Sequence, residues 1–424
     1  MTAVQNEAST VASQNYRTYV LFALGIVALF NFFDRSIFSV LAVSIKSDLN
    51  LSDTQIGLLG GFGFALFYAI VGIPLARIAD RGNRITLVSV CLAVWSLATA
   101  ACGMAGGFIS LLLARIGVGA GEAGCFPPSY SVLSDYYPPA RRAFAIGAFH
   151  FWGNIGFLLG LVGAGLVSDL LGWRAAFIIF GAPGVLFAVI LRLTVREPVR
   201  GALDTVRTPV ELGFREAVKI LAGRRAYIHL FCAYSLSAFA FYAILLWLPQ
   251  FFARTFSMTQ SELGLYYGFA FGGGMIVGVG LGALIAPRFI AEDRRWEMLF
   301  PAVAAFLSLP LALAVLVVPS QTAALIITFF FCAFASAGLG PAFAAIQSLS
   351  EPGIRATASA LVLFAAALIG QGLGPTLVGI LSDVLSTPFG ERSLSVSIAF
   401  AAAAFGWSGL HGWLGSKWFL QETV

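Results

Sequence analysis

Tyr137-Pro138-Pro139-Ala140-Arg141 returns as Glu351-Pro352-Gly353-Ile354-Arg355, 214 residues further along the chain. The same offset carries Gly124 onto Gly338, Pro127 onto Pro341, Gly156 onto Gly370, Gly160 onto Gly374 and Gly165 onto Gly379. It also carries Ser168-Asp169 onto Ser382-Asp383. A match without gaps through two long apolar stretches in each half marks an internal duplication. A second block, Leu51-Ser52-Asp53-Thr54-Gln55-Ile56-Gly57, faces Met258-Thr259-Gln260-Ser261-Glu262-Leu263-Gly264 at an offset of 207.

Composition says what the repeated unit is made of. The 424 residues are 59% hydrophobic and 11% charged, with a mean hydropathy of +0.90. Soluble domains carry about 25% charged residues. So few charges exclude a cytosolic enzyme, a disordered chain and a secreted disulfide scaffold. Cys91, Cys102, Cys125, Cys232 and Cys332 all lie in apolar stretches, odd in number and without a C-x-x-C pair. Neither a disulfide framework nor a zinc site is indicated, and no cofactor is expected.

A membrane-crossing helix needs roughly 20 apolar residues. Twelve such runs are present, six within 19–194 and six within 226–417. The short alternating segments of a β-barrel are absent. The expected fold is therefore all-α: twelve transmembrane helices in two parallel-repeat six-helix bundles. Residues 1–18 and 418–424 read as polar tails. The first apolar run is too long for a signal-peptide core and reads as the first span. The stretch 195–225 is a polar linker. Within it, Thr208-Pro209-Val210-Glu211 reads as a helix start. Phe214, Val218 and Leu221 follow on one face of an amphipathic surface helix.

Basic residues set the orientation. With the N-terminus inside, Arg17, Arg77, Arg81, Arg84, Arg141, Arg142, Arg288, Arg294, Arg295, Arg355 and Lys417 are cytoplasmic, together with the linker cluster. Only Lys46, Arg174, Arg254 and Arg392 fall outside. This asymmetry predicts a multi-pass protein of the cell inner membrane with both termini cytoplasmic. It also accounts for the net charge of +5 without nucleic-acid binding. Two six-span halves in the same orientation point to a transporter with its site between them, near the midplane.

Three motifs support a family resemblance. Ala76-Arg77-Ile78-Ala79-Asp80-Arg81-Gly82-Asn83-Arg84 resembles the loop signature of the major facilitator superfamily between spans two and three. The Asp-Arg and trailing Arg are kept, while Ala76 replaces the first Gly and Gly82-Asn83 displaces the last. Arg115-Ile116-Gly117-Val118-Gly119-Ala120-Gly121 resembles its R-x-x-x-G-x-G motif in span four. Gly172-Trp173-Arg174-Ala175-Ala176-Phe177 resembles its G-W-R-x-x-F motif. Phe33-Asp34-Arg35 with Gly121-Glu122-Ala123 is similar to the Spinster branch. That resemblance implies export of sphingosine-1-phosphate or lysophospholipid-like substrates by a protein monomer. It also implies a cytoplasmic gate of Asp80, Arg81, Arg84 and Arg142.

Four charged residues do not fit in any loop: Asp34 and Arg35 in span one, Arg115 and Glu122 in span four. Each costs on the order of 2.5–3.5 kcal/mol at a helix centre, so each needs a partner or a wet cavity. Their counterparts in the second half are Phe241, Tyr242, Phe329 and Ser336, none charged. One reading is a buried four-membered ionic lock. The other is a substrate and proton site. Arg35 and Arg115 would take the anionic head group, because a guanidinium binds phosphate or carboxylate as a fork. Asp34 and Glu122 would carry the coupling proton. Phe239, Tyr242, Trp247, Tyr266, Tyr267 and Phe271 would line the apolar side. His150 has either a proton-carrying or a gating role.

Gly119-Ala120-Gly121-Glu122-Ala123-Gly124 also fits G-x-G-x-x-G, but no strand precedes it, so it reads as close helix packing. Gly156-x-x-x-Gly160 and Gly370-x-x-x-Gly374-Pro375 suit close approach or bending. The expected activity is proton-linked transport of an amphipathic anionic lipid by alternating access, with lipid, protons and bilayer as its partners. A symporter of a small organic anion such as a sugar acid is the alternative. A membrane-embedded lipid enzyme is a more distant one, because the sequence lacks H-x-x-H, metal-spaced acids and a nucleophile–base pair.

Overall fold

In lipid every backbone amide and carbonyl must find a partner inside its own segment, which leaves the helix as the spanning element for apolar runs of this length. The computed structural model describes residues 13–201, 203, 213–351 and 353–423. Among them, helices are separated only by turns and short loops, with no strand. Eleven helical stretches are long and apolar enough to cross a membrane. They are Gln14–Asp48, Asp53–Arg81, Arg84–Cys102, Phe108–Tyr136, Phe144–Thr194, Arg225–Phe256, Gln260–Glu292, Trp296–Val317, Gln321–Ser348, Arg355–Val384 and Ser386–Glu422.

The fifth of these, 51 residues long, is two spans in one. At 1.5 Å per residue a straight helix of that length would be about 76 Å, far beyond a bilayer core of about 30 Å. Gly172 turns the chain back with φ 82° and ψ 161°. The return is visible in the packing, where the Phe180 ring lies against Gly163. With spans five and six split at Gly172, the chain makes twelve crossings, six on each side of the linker.

Several boundaries differ from the sequence reading. Span one starts at Gln14, where the Ser13 hydroxyl accepts a hydrogen bond from Tyr16 N at 3.3 Å. Span twelve continues to Glu422, because its carboxylate caps the start of span seven. It accepts from Arg225 N at 3.1 Å and Ala226 N at 2.8 Å. The proposed helix start at Thr208-Pro209-Val210-Glu211 lies outside the described residues. The linker helix spans Phe214–Gly223 and buries Ala217 and Leu221 in a small core with Tyr227, Leu349 and Ala358. Of the expected face, Leu221 is buried and Val218 partly so, while Phe214 stays exposed and Ala217 joins the buried side.

The two halves meet at the end remote from both termini, and they meet by symmetry. The Asp383 carboxylate, at the end of span eleven, accepts from Asp53 N at 3.1 Å and Thr54 N at 2.8 Å. These amides open span two, whose first N–H groups lack helical partners. The duplicate of this contact joins spans five and eight: Asp169 accepts from Ser261 N at 2.7 Å. Glycines let the backbones close around each cap. A Cβ at Gly57 would strike the Pro375 carbonyl, and one at Gly379 the Asp53 carbonyl. In the second seam a Cβ at Gly165 would strike the Gln260 carbonyl and Gly264.

The duplication also places matching irregularities beside the centre. Span two breaks at Gly61, which sits against the Gly372 carbonyl. Its counterpart Gly268 separates two π-helical turns, Leu263–Tyr267 and Phe269–Gly273. Span eleven carries a third π-helical stretch, Ala366–Leu373. Nearer the termini the helices turn back into their own halves. Among the described residues, Phe126–Tyr136 packs mainly on first-half helices, and Leu339–Ser348 and Arg355–Ala365 mainly on second-half ones and the linker helix. A cleft between the halves therefore closes at the far end and widens toward the termini.

Loss of either carboxylate cap costs about 1 kcal/mol and should speed local exchange about fivefold. We predict that Asp383→Ala accelerates hydrogen–deuterium exchange at residues 53–56 and leaves residues 260–264 unchanged, with the converse for Asp169→Ala. Equal acceleration of both seams by either variant would show that the caps are not separate contacts.

Candidate functional site

Span one brings Asn31, Asp34, Arg35 and Phe38 to one broad face at spacings of three and four residues, and span four brings Arg115 and Glu122 opposite them. The Arg35 Nε donates to Glu122 Oε2 at 2.7 Å. Glu122 is 0% exposed, whereas the Arg35 side chain keeps 13% of its surface, so the pair reaches the cleft through the arginine. The guanidinium lies over the rings of Tyr68 at 5.1 Å, Phe64 at 5.5 Å and Phe126 at 5.9 Å. Such faces attract a cation more strongly where water is scarce.

The other two charges stand apart from this pair. Asp34, nearly buried, accepts from the Thr99 hydroxyl at 2.8 Å. Arg115 donates from Nε to the Leu59 carbonyl at 3.3 Å and stacks over Phe38 at 4.6 Å and Phe64 at 5.1 Å. No carboxylate lies within ion-pair distance of Arg115 among the described residues. The four-membered neutral cluster is thus not formed. There is one ion pair, one acid held by a hydroxyl and one arginine held by aromatic rings. Adjacent side chains on one helix point about 100° apart, which sends Asp34 toward span three while Arg35 faces span four.

Arg35 and Arg115 share a gap of about 20 Å3 at the closed end of the cleft, room for about one water. Ser39 lines it from the first half, and Tyr242, Leu246 and Gln371 line it from the second. Among the described residues, no hydrogen-bond partner meets Arg35 Nη2 or, behind it, Glu122 Oε1 and the amide of Asn31. A buried unpaired polar atom is costly unless water or a ligand reaches it.

Of the six aromatic residues proposed as lining, Tyr242 is at the gap. Phe239 is half-buried, and its carbonyl lies against Gly374. Trp247 is fully buried and donates from Nε1 to the Pro375 carbonyl at 2.7 Å, pinning span seven to span eleven. Tyr267 and Phe271 are also fully buried and pack on each other at 5.4 Å between ring centres. Tyr266 is half exposed and outside the lining. Trp247, Tyr266, Tyr267 and Phe271 are therefore corrected from lining to packing or surface positions in this conformation.

His150 sits in an aromatic box. Its Nε2 is 2.7 Å from the Tyr130 hydroxyl and its ring stacks on Phe126, with Phe32 and Phe149 edge-on. Phe126 also lies under Arg35, so the histidine is one ring away from the ion pair.

Among the described residues, the contacts of the four expected gate residues stay within the first half and the start of the linker. Arg84 is buried and satisfied inside the first half, with ion pairs to Asp135 at 2.5 Å and Glu197 at 2.6 Å. It also donates to the Ser131 hydroxyl at 2.7 Å. Arg142 donates to the Ser134 and Tyr137 carbonyls of its own half. Asp80 and Arg81 are exposed, and Arg200 clasps their loop by donating to the Asp80 carbonyl and, at 2.6 Å, to those of Ala79 and Gly82. The loop is an anchor within the first half while the cleft is open on that side. The cross-half charge contact lies at the other end, where Asp53 pairs with Arg254 at 2.6 Å, with Lys46, and with the Ser382 hydroxyl at 2.7 Å.

Sequence reasoning passed over Asn31, Thr99, Tyr68 and Gln371. Asn31 and Gln371 carried a signal, being lone amides inside apolar spans, one of them four residues before Arg35. Thr99 and Tyr68 carried none.

A family model described as Major Facilitator Superfamily matches residues 24–375. The chain belongs to the major facilitator superfamily. It is 34% identical over 412 residues to an MFS-type efflux pump of Mycolicibacterium smegmatis, covering 95% of this chain and 94% of that one. A crystal structure of a bacterial homologue of the human lysosomal transporter Spinster, inward-facing and unoccupied, superposes with a TM-score of 0.88. Sequence identity to it is 31%, over 97% of this chain and 99% of that one. A hexuronate transporter of Bacillus subtilis is 29% identical over 236 residues, 55% of this chain and 56% of that one. This major facilitator chain is a multi-pass secondary transporter of Spinster-like structure and not an enzyme.

Removing one partner of a fully enclosed ion pair costs about 3–5 kcal/mol, and less where the survivor reaches water. With Arg35 at the cleft, Glu122→Gln is expected to cost about 2 kcal/mol. Adding Arg35→Gln should then restore part of that loss. Thermal unfolding of the two single variants and the double variant in detergent measures the coupling; strictly additive losses would mean that the pair is not formed.

Proposed function

We propose that this transporter moves an amphipathic anionic lipid, of the sphingosine-1-phosphate or lysophospholipid type, by proton-coupled alternating access. The observation that carries the reading is Arg115, a buried arginine with aromatic support and no carboxylate, sharing the apex gap with Arg35. Two guanidinium groups at one point of a cleft are a receptor for a phosphate, which accepts forked hydrogen bonds from each. The facing second half contributes Tyr242, Leu246 and Gln371 and no charge, which suits a substrate with one anionic end and one apolar end.

The proton has a defined place in this scheme. Arg35 is held by Glu122 Oε2, so an ionised Glu122 and an incoming phosphate compete for the same guanidinium. A proton on Glu122 removes the competitor and keeps the site's net charge low while the substrate is bound. Departure of the substrate returns Arg35 to Glu122 and releases the proton. Asp34, on Thr99, offers a second protonation site close to the first. The stacking of His150 on Phe126, which also lies under Arg35, supports a role for it beside the pair in this scheme. In this scheme the chain works as a monomer in the inner membrane with both termini cytoplasmic, the orientation that the basic loops favour.

A small organic anion is the second reading. The likeness to the hexuronate transporter favours it, and a sugar carboxylate would use the same two arginines.

Reconstituted protein separates the two. Arg115→Ala is expected to weaken binding of sphingosine-1-phosphate about tenfold and of sphingosine little, the loss of one charge-assisted contact. Equal losses for both would remove Arg115 from head-group recognition. In proteoliposomes, Glu122→Gln should move lysolipid at a rate independent of a pH gradient that accelerates the wild type. An unchanged response would exclude Glu122 from coupling. Uptake of hexuronate with no lysolipid transport would establish the second reading.

A further inference from the structure

Spans one and five cross near the end that carries the termini, and they leave a cavity of about 670 Å3 between them. It belongs to the first half alone and is separate from the central cleft. Arg17 and Thr18 line it from span one, and Tyr137 and Arg141 from the start of span five. Leu21 and Phe144 line it from deeper along the same two helices. Its walls are fixed to each other, because the Tyr137 hydroxyl donates to the Arg17 carbonyl at 3.1 Å.

Its charge is one-sided. Neither Arg17 nor Arg141 has a carboxylate partner among the described residues. The sequence places no acid in either wall: none occurs between residues 8 and 33, or between 136 and 168. Buried Arg84 at the same end is engaged by Asp135 and Glu197 and takes no part in the cavity.

Polarity changes along the cavity in a fixed direction. On span one, Gln14, Arg17, Thr18 and Leu21 recur at helical spacing and run from polar to apolar toward the membrane centre. On span five, Arg141, Phe144 and Phe151 recur at the same kind of spacing, and Phe144 and Phe151 are both well exposed. Below them Phe22 packs edge-on against Trp152 at 5.1 Å and stays partly exposed, extending the apolar track along the seam.

We propose that this cavity is a binding site for an anionic phospholipid of the adjacent leaflet. The phosphate lies between Arg17 and Arg141, and an acyl chain runs along Leu21, Phe144 and Phe22. Arginine is suited to the head because its donors match phosphate in a fork. Basic side chains at the membrane surface also favour anionic over zwitterionic lipid. The site is structural and lateral. It clips span one to span five and does not use the transport site, so it stands or falls independently of the substrate.

The test is native mass spectrometry of the full chain in detergent, titrated with phosphatidylglycerol and with phosphatidylcholine. The wild type should bind phosphatidylglycerol saturably and more tightly. Arg17→Gln and Arg141→Gln should each weaken it about fivefold, the effect of one basic residue at the surface. Arg17→Lys and Arg141→Lys should keep most of it. Arg77→Gln, an exposed arginine in the last turns of span two at the same end, should leave it unchanged. Phe144→Ser tests the apolar track without altering charge and should weaken binding of phosphatidylglycerol as well. Inorganic phosphate at matching concentration should not displace the lipid.

Four results would overturn the proposal. They are unchanged affinity in the pocket variants, an equal loss with Arg77→Gln, equal losses for both lipids, and full displacement by inorganic phosphate, which would mark a small-anion site. Thermal unfolding of each variant confirms that the comparison is between folded proteins.

Discussion

The fold depends on a backbone constraint: the first amides of a spanning helix have no partners within the helix, and where a helix starts against the other half they must be met from across the seam. Spans two and eight begin where the halves meet, and each solves this problem with a carboxylate from the opposite half. Asp383 serves Asp53 and Thr54, and Asp169 serves Ser261. A contact of this kind is local and modest, about 0.5–2 kcal/mol in soluble proteins. Modesty suits its place. A transporter must open this seam in every cycle, and two caps of that size hold it shut without locking it.

The two seams are related by duplication but are not equal. Around Asp53 the first seam gathers Lys46, Arg254 and Ser382. The corresponding residues in the second seam are Gln260 for Asp53 and Ser168 for Ser382, and Gln260 Oε1 and Ser168 Oγ both lack partners. The charge that strengthens the first seam has no counterpart in the second. The same holds at the centre. Asp34, Arg35, Arg115 and Glu122 occupy positions whose counterparts are Phe241, Tyr242, Phe329 and Ser336. The frame is shared by both halves, and the intramembrane charges belong to the first half alone.

That division explains what could be read from the sequence. The repeat, the spans and the four intramembrane charges were legible because lipid forbids alternatives: an apolar run must be helical, and a charge within it must have a purpose or a partner. Gly172 was legible as part of a motif, although its role in reversing the chain appears only from its positive φ. Partners were less legible. Nothing in the sequence says that Asp34 would take Thr99, or that Arg115 would rest on Phe38 and Phe64. Aromatic residues misled most. Trp247, Tyr267 and Phe271 are apolar bodies near the right depth, yet only packing decides which side of a helix meets the cleft: Pro375 and Gly379 hold Trp247, Leu245 holds Tyr267, and Phe157 and Phe241 hold Phe271. The gate residues misled for another reason. Arg84 sits in a loop motif but folds back into Asp135 and Glu197, since an arginine at the start of a spanning helix needs anions close by.

The separation of the four charges bears on why they exist at all. A lock built for stability would pair both acids with both bases, because an unpaired charge in lipid is expensive and a complete cluster is neutral. Here only Arg35 and Glu122 are joined. Asp34 has a hydroxyl, and Arg115 has a carbonyl and two rings. Those partners moderate the cost without consuming the charge, and each leaves the group able to meet something else. Aromatic faces are well suited to this use for Arg115: they attract the cation but occupy none of its five N–H donors. An arginine so held has spent one donor on the Leu59 carbonyl and none on the rings, so its charge is moderated without an ion pair.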